Sequence, residues 1–287
     1  MKKLLKSSFV SLHSYSREDP SAYIRVGLEF LKDAGFEVAN IGSYALLPPD
    51  GKWQPVVEQA LQDSKELHIP FVDCHLPFFS DLVNTDPVYA EQCNQKMHTA
   101  IDIAKALGVD RAVLHPNTTT VTLRELDREA TYDRVMAHLT PFAEHAAQIG
   151  LNLVVENVRL WPGIRPSHRY CQGPEELCKV ADALGFGVCW DFGHANIAGI
   201  KQSEALAYIG KRLKCVHIHD NNGTDDDHIA PFMGNIDWQD AMHGLALAEF
   251  EGPLNYEIVP TRIPAELRKD YAKYLADAAD KLMEYIK

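Results

Sequence analysis

Short apolar runs alternate with longer amphipathic stretches along almost the whole chain. Each run is rich in Val, Ile, Leu and Phe and has the length of a single buried strand. Eight such runs occur, at 7–14, 36–42, 70–76, 111–116, 151–157, 186–192, 213–220 and 253–259. The stretches between them place apolar residues at helical spacing, as Ile24, Leu28 and Leu31 illustrate. The pattern therefore predicts eight strand–helix units in succession.

The predicted helices have recognisable ends. They cover 21–34, 54–68, 87–107, 123–149, 174–184, 201–212, 237–248 and 262–286. Gly35, Gly108, Gly150 and Gly185 directly follow four of them, and glycine favours the left-handed conformation that closes many helices. Pro174 opens another helix, where its missing N–H costs no hydrogen bond.

Repeated strand–helix units indicate parallel strands covered by helices. Eight units in a chain of 287 residues favour a closed (β/α)8 TIM barrel, built as one domain over residues 1–287. An open, doubly wound sheet is the structural alternative. It would normally place a glycine-rich phosphate loop after the first strand, and the segment LHSYSRED at 12–19 contains no glycine.

Composition narrows the class of function. The formal net charge is −12, which argues against a nucleic-acid-binding protein because such proteins concentrate positive charge. The six cysteines form no C-x-x-C pair, and we interpret them as reduced, structural thiols of a cytoplasmic protein. No apolar run approaches the roughly 20 residues that span a bilayer. Polar residues interrupt the N-terminal apolar segment too early for a signal peptide.

Metal-competent side chains stand at the ends of six consecutive runs. A lone His or Glu in such a place is usually a structural residue, but the C-terminal ends of all barrel strands meet at one mouth. The six residues are His75, His115, Glu156, Asp191, His217 and Glu257. His194 follows three positions after Asp191, and the pair Asp226 and His228 follows the seventh run. We expect these side chains to converge at the mouth of the barrel.

Several carboxylates held close together favour a bound cation, because like charges at short distance cannot all ionise without one. Histidine nitrogen combined with carboxylate oxygen suits Mn²⁺, Zn²⁺, Co²⁺ or Fe²⁺ better than Ca²⁺. The chain contains no G-x-S-x-G, H-E-x-x-H or P-loop motif, so nucleophilic serine or cysteine catalysis has no support.

The loop after the fifth run supplies the candidates for substrate contact. Trp161 and Arg159 are the weaker members of the predicted site. Arg159, Arg165 and Arg169 cluster in this loop, where they could serve a phosphate group or face solvent at the rim. The apolar part of the loop around Trp161 could instead form the interface of a homodimer.

Five segments resemble the xylose isomerase-like TIM-barrel superfamily. They are VVEN at 154–157, WDFGHAN at 190–196, VHIHDNNG at 216–223, GNIDW at 234–238 and NYEIV at 255–259. This superfamily includes sugar and sugar-phosphate isomerases and epimerases, inosose dehydratases and endonuclease IV. The resemblance runs from about the third run to the eighth. It implies a metal-dependent enzyme with a small carbohydrate substrate.

Similarity to the ketose 3-epimerase branch implies a specific set of roles. One divalent metal, Mn²⁺ or Zn²⁺, would be held by Glu156, Asp191, His217 and Glu257. The two glutamates would exchange a proton at the carbon beside the substrate carbonyl, through an enediolate. His194 would contact a substrate oxygen.

The related branch of endonuclease IV is the main alternative; it hydrolyses DNA at abasic sites with three zinc ions. Its additional ligands would correspond to His75, His115, His194, Asp226 and His228, so the sequence leaves room for more than one metal. The segment NVRLWPGIR at 157–165 and the motifs HLPFFSD and HIHDNNG favour the sugar enzymes. An inosose dehydratase-like lyase and a metal-containing binding subunit are the remaining alternatives.

Overall fold

Eight parallel strands close into a barrel, as the alternating pattern predicts. The computed structural model describes residues 4–13, 20–48, 50–78, 86–116, 127–159, 169–258, 260 and 263–286. The strands are β1 (Lys6–Phe9), β2 (Val38–Gly42), β3 (Phe71–His75), β4 (Arg111–Leu114), β5 (Asn152–Glu156), β6 (Gly187–Asp191), β7 (Leu213–Ile218) and β8 (Leu254–Tyr256). Each strand pairs with the next in chain order, and β8 pairs with β1. The prediction of a single (β/α)8 TIM barrel is confirmed.

Helices alternate with these strands along the chain. They are α1 (Pro20–Ala34), α2 (Trp53–Leu67), α3 (Pro87–Leu107), α4 (Arg128–Ile149), α5 (Pro174–Leu184), α6 (Phe192–Ile197), α7 (Gln202–Ile209), α8 (Trp238–Leu247) and α9 (Arg268–Glu284). The last helix begins later than predicted, after a 3-10 turn over Ala265–Leu267. Residues 123–126 of the fourth predicted helix lie outside the described ranges. Among the described helices, none is long and apolar enough to cross a membrane.

The sequence pattern does not predict the short helix α6, because its first residue reads as the end of an apolar strand. In the structure β6 ends at Asp191, whose carboxylate accepts a hydrogen bond from the backbone N–H of His194 at 2.6 Å. An aspartate that accepts such a bond caps the first turn of a helix. The turn brings the His194 ring within 3.6 Å of the Asp191 carboxylate.

Alternation of side chains along each strand decides which residues face the barrel interior. A small apolar cluster, separate from the main core, consists of Val113, Val154, Cys189 and Cys215. Two residues further along each of these strands, the same face continues to the mouth of the barrel. The residues at that level are His115, Glu156, Asp191 and His217. The strand period therefore aligns four of the predicted site residues.

Candidate metal centre

The six strand-end residues predicted from the sequence meet at the C-terminal mouth of the barrel. They are the last residues of β3, β5 and β6 (His75, Glu156, Asp191), the residues after β4 and β8 (His115, Glu257) and a residue near the end of β7 (His217). Glu156, Asp191 and His217 are fully buried. Burial of two carboxylates and an imidazole at one level of the barrel calls for compensating charge.

The carboxylate of Glu156 is the centre of this group. Its Oε1 lies 3.2 Å from His217 Nδ1 and 3.5 Å from His194 Nδ1. Its Oε2 lies 3.1 Å from His115 Nε2 and 3.3 Å from His75 Nε2. One buried carboxylate thus joins histidines from four separate segments of the chain.

His217 connects this carboxylate to the second candidate glutamate. Its Nδ1 lies 3.1 Å from Glu257 Oε2 as well as 3.2 Å from Glu156 Oε1. Within the described part of the chain, His217 Nδ1 and Glu156 Oε1 are nevertheless buried without a hydrogen-bond partner. Buried polar atoms are nearly always paired. A nitrogen and an oxygen that face each other in this way fit a cation bound between them.

Asp191 is held from several directions. Asn157 bonds to its backbone N–H and C=O, at 2.7 and 3.0 Å. The Nε2 of His219 lies 3.1 Å from each carboxylate oxygen. His219 is fully buried and was not among the predicted site residues. The signal that could have found it is its spacing: it follows His217 by two positions, and such residues share a face of extended chain.

The remaining predicted residues form a second group beside the first. Asp226 Oδ2 lies 3.3 Å from His228 Nε2 and 3.6 Å from His194 Nε2. The rings of His228 and His219 are stacked, with 3.9 Å between their centroids and 16° between their planes. The structure therefore brings all nine predicted metal-competent residues into one connected site.

Several positions at the mouth have the donors that a metal ion needs. Ligand atoms lie within 4.8 Å of one another in groups of three residues. These groups include His75 with His115 and Glu156, His75 with His217 and Glu257, Asp191 with His194 and His219, and His219 with Asp226 and His228. The arrangement suits at least one metal and leaves space for more.

Backbone carbonyls select the tautomers of three histidines. The Nδ1 atoms of His75, His194 and His228 lie 2.7, 2.8 and 2.7 Å from the carbonyl oxygens of Leu76, Asn157 and Glu257. A carbonyl oxygen only accepts, so each Nδ1 carries a proton, and Nε2 is the nitrogen that offers a lone pair whenever the ring loses its positive charge, as binding of a metal would require. Metal-binding histidines are commonly oriented by an outer hydrogen bond of this kind.

Charge within the group keeps both glutamates ionised. Burial opposes ionisation of Glu156, yet the rings of His217 and His115 hold its pKa well below the usual value. Burial opposes ionisation of Glu257 too, and His217 again lowers the pKa. The balancing positive charge lies on imidazoles: although burial disfavours it, Asp191 and other acidic neighbours raise the pKa of His194 to about 10.

A cavity of about 220 Å³ adjoins these groups. Its wall includes Glu257 and other metal-competent residues, together with Phe78, Arg159 and Arg169. Arg159, predicted as a weak candidate for substrate contact, therefore lines the same cavity as the metal-competent residues. Trp161 and Arg165 lie outside the described residues.

One protein-family model matches most of the chain. It describes the xylose isomerase-like TIM barrel and matches residues 28–283. Among curated proteins, the uncharacterized protein y4fM of Sinorhizobium fredii is 32% identical over 265 residues, which cover 82% of this chain and 80% of that protein. The uncharacterized protein MJ1311 of Methanocaldococcus jannaschii is 26% identical, with 87% and 83% covered.

Several solved structures share the fold. An L-ribulose 3-epimerase has a TM-score of 0.76 at 17% identity, with 99% of this chain and 94% of that chain covered. A D-tagatose 3-epimerase-like protein has a TM-score of 0.75 at 19% identity, with 98% of each chain covered. A D-allulose 3-epimerase from Methylomonas sp. has a TM-score of 0.74 at 20% identity, with 99% of each covered. At such identities the similarity concerns the fold.

Proposed function

Because the chain belongs to the family of xylose isomerase-like TIM barrels, we propose that it is a divalent-metal-dependent isomerase or epimerase of a sugar or sugar phosphate. The observation that carries the proposal is the pair of glutamates at the mouth. Glu156 and Glu257 lie 3.2 and 3.1 Å from the same nitrogen of His217. A site that only binds a ligand does not require two groups that can transfer protons. The sugar epimerases among the structures of the same fold support this choice.

The metal would be held by Glu156, Asp191, His217 and Glu257. Mixed nitrogen and oxygen donors suit Mn²⁺ or Zn²⁺, with Co²⁺ or Fe²⁺ as chemically close substitutes. Bound there, the metal would polarise the substrate carbonyl and acidify the neighbouring C–H. The second set of residues would contact the substrate or hold an additional metal; it comprises His75, His115, His194, Asp226 and His228.

Glu156 and Glu257 exchange the proton in this proposal. One carboxylate acts as a general base and removes the proton from the carbon beside the carbonyl. The electron pair of the broken C–H bond forms a C=C bond while the π electrons of the carbonyl move to its oxygen, which gives an enediolate. Because both glutamates are ionised in the absence of substrate, the other must first take up a proton from solvent, which it then returns to the opposite face in an epimerase. In an isomerase the proton returns to the neighbouring carbon. His194 lines the cavity and would donate a hydrogen bond to the oxygen that gains negative charge.

Exchange of deuterium from solvent tests this proposal. The Mn²⁺- or Zn²⁺-loaded protein is incubated in D₂O with a panel of ketoses and ketose phosphates, and the sugars are analysed by NMR. We expect deuterium at the carbon beside the carbonyl. Glu156→Gln should slow the exchange roughly 10²- to 10⁴-fold, whereas Glu58→Gln on the exposed side of α2 should leave it unchanged. Absence of exchange with every sugar would remove the mechanism.

The metal content of purified variants tests which residues hold the metal. Asp191→Ala and Glu257→Ala should each lose most of the bound metal, because each removes one of four donors from a shared position. Elemental analysis of the purified variants measures this loss. Wild-type metal content in both variants would contradict the assignment.

A zinc-dependent phosphodiesterase like endonuclease IV is a second candidate because the additional residues that it would need are contiguous with Glu156 in the structure. Nicking of a plasmid with abasic sites would place this function first, if Glu257→Gln abolished the nicking.

An inosose dehydratase-like lyase would share the proton removal but release water, so analysis of the products separates it from an epimerase.

The proposal extends to the location, the domain organisation, the partner and the assembly of the protein. A cytoplasmic location is supported by six buried, free thiols, which are typical of reducing compartments. A one-domain organisation over 1–287, a small carbohydrate as the partner and assembly as a homodimer stay predictions.

A further inference from the structure

Two of the six cysteines lie inside the barrel, one level below the candidate metal centre. Cys189 of β6 and Cys215 of β7 are buried, and they pair directly in the register of the two strands. Each precedes a predicted metal ligand by two positions on the same face, Asp191 in β6 and His217 in β7. Barrel interiors are usually filled by Val, Ile and Leu. Two sulfur atoms therefore take a place beneath the mouth that branched aliphatic side chains normally fill.

The ring of His217 lies beside these sulfur atoms. One of its nitrogens and the Sγ atoms of both cysteines lie within 4.8 Å of one another. Because Nδ1 is turned toward Glu156 and Glu257, Nε2 is the nitrogen left for the sulfur atoms. As far as the chain is described, His217 Nε2 is buried and has no hydrogen-bond partner. Buried polar atoms are nearly always paired, so a ligand shared with the two sulfur atoms would satisfy it.

A carboxylate of β3 approaches the same cluster. Asp73 is fully buried, and its Oδ2 lies 3.7 Å from the Sγ of Cys215. Its Oδ1 accepts a hydrogen bond from Arg111 Nε. Arg111 lines a cavity of about 570 Å³ at the N-terminal end of the barrel. Asp73 and Arg111 thus lead from the sulfur atoms toward the end of the barrel opposite the mouth.

We propose that Cys189, Cys215 and Nε2 of His217 form a second metal site, which takes Zn²⁺ or a similarly thiophilic ion. Asp73 stands close enough to supply a fourth donor. Sulfur, nitrogen and oxygen donors of this kind form tetrahedral zinc sites, and thiolates select zinc over Mn²⁺. Two thiolates balance the charge of one divalent ion, and both thiol protons leave when it binds. With a metal also at Nδ1, the His217 ring gives up its last proton and bridges the two ions.

Absorption of the Co²⁺-loaded protein tests this site without reference to turnover. Charge transfer from thiolate to Co²⁺ gives a near-ultraviolet band, which the nitrogen and oxygen donors of the mouth do not give. We expect the band in the wild type and its loss in Cys189→Ala and in Cys215→Ala. Asp191→Ala removes a donor from the mouth alone and should keep the band. Cys74→Ala is the matched control and should also keep it, because Cys74 is a buried strand cysteine that packs in the main core.

The wild-type spectrum alone can overturn the proposal, since absence of the band would mean that no thiolate binds the ion. A band that persists in either Cys189→Ala or Cys215→Ala, or one that is lost in Asp191→Ala, would overturn it as well. If an alanine variant does not fold, the serine variant of the same residue keeps the side-chain volume and should lose the band too. Deuterium exchange without the band would leave the proposed function and remove the second site. The band without exchange would leave the second site and remove the proposed function.

Discussion

His219 packs against the backbone of Gly193 at a distance that leaves no room for a side chain there. A Cβ atom at position 193 would lie 1.9 Å from His219 Cε1, far inside van der Waals contact. The glycine of the D-F-G-H segment is therefore a packing requirement, because it lets the His219 ring reach the carboxylate of Asp191. A hydrogen-bond partner behind a metal ligand orients that ligand and tunes its affinity.

Loss of this partner is expected to weaken metal binding. His219→Asn should lower the affinity for Mn²⁺ or Zn²⁺ roughly 10- to 100-fold, measured by competition with a fluorescent chelator. Gly193→Ala should have a similar effect, because its methyl group displaces the His219 ring. His243→Asn is the control, since His243 is an exposed residue of α8. Wild-type affinity in both site variants would show that His219 plays no part in positioning Asp191.

At the scale of elements, the loop between β7 and α8 carries the second group of metal-competent residues and is organised by Asp220. The buried Asp220 carboxylate accepts the backbone N–H groups of Phe232 and Ile236 at 3.0 and 3.2 Å and the indole N–H of Trp238 at 2.9 Å. A Cβ at Gly234 would lie 2.3 Å from an Asp220 oxygen. Hydrogen bonds to the Asp220 carboxylate thus hold the G-N-I-D-W segment in its conformation.

The N-terminus of α8 allows a direct test of this element. The Asp237 carboxylate accepts the backbone N–H groups of Gln239 and Asp240, both at 3.1 Å. Removal of such a cap in Asp237→Ala should cost about 1 kcal/mol of unfolding free energy, measured by urea denaturation in the presence of a chelator. Asp277→Ala, at an exposed position inside α9, is the matched control. A loss no larger than in the control would argue against the cap.

At the scale of the whole molecule, titration of partly buried histidines outside the site links stability to pH. His138 lies in α4, 5.2 Å from the Phe142 ring between ring centres. Burial lowers the pKa of His138 from its ordinary value of 6.5. As pH falls below that value, the unfolded chain therefore takes up the proton before the folded protein does. The stabilising effect of the neutral ring is present above pH 6.5 and is lost as pH falls through the lowered pKa.

This linkage predicts how substitution of His138 changes the dependence of the unfolding free energy on acid pH. His138→Gln should lose less unfolding free energy than the wild type between pH 7 and pH 5, measured by urea denaturation without metal at each pH. His243→Gln, which changes an exposed histidine, should follow the wild type. A variant curve parallel to the wild-type curve would mean that His138 titrates alike in the folded and unfolded chains.

The local pattern of the chain was enough to predict the barrel and the residues that meet at its mouth. Strand alternation places His115 two residues beyond Val113, and Glu156 two beyond Val154, on the inward face of their strands. Because the C-terminal ends of barrel strands share one mouth, residues far apart in the sequence could be grouped without knowing any distance. The short helix α6 was not predicted. The strand ends at Asp191 because the Asp191 carboxylate caps the next turn with one hydrogen bond, and the periodicity of apolar residues does not show such a bond.

How these residues face one another depends on the packing of segments that are distant in the sequence. Closure of β8 onto β1 sets the separations around the mouth, such as the two contacts of His217 Nδ1 with Glu156 and Glu257. His219 lies in the site because Gly193 of the short helix α6 lets its ring approach Asp191. Arg169 became a cavity residue through burial, which depends on what packs around it. The sequence determined which faces point inward, since that is a local property of each strand, whereas contacts between distant segments depend on the packing of the whole barrel.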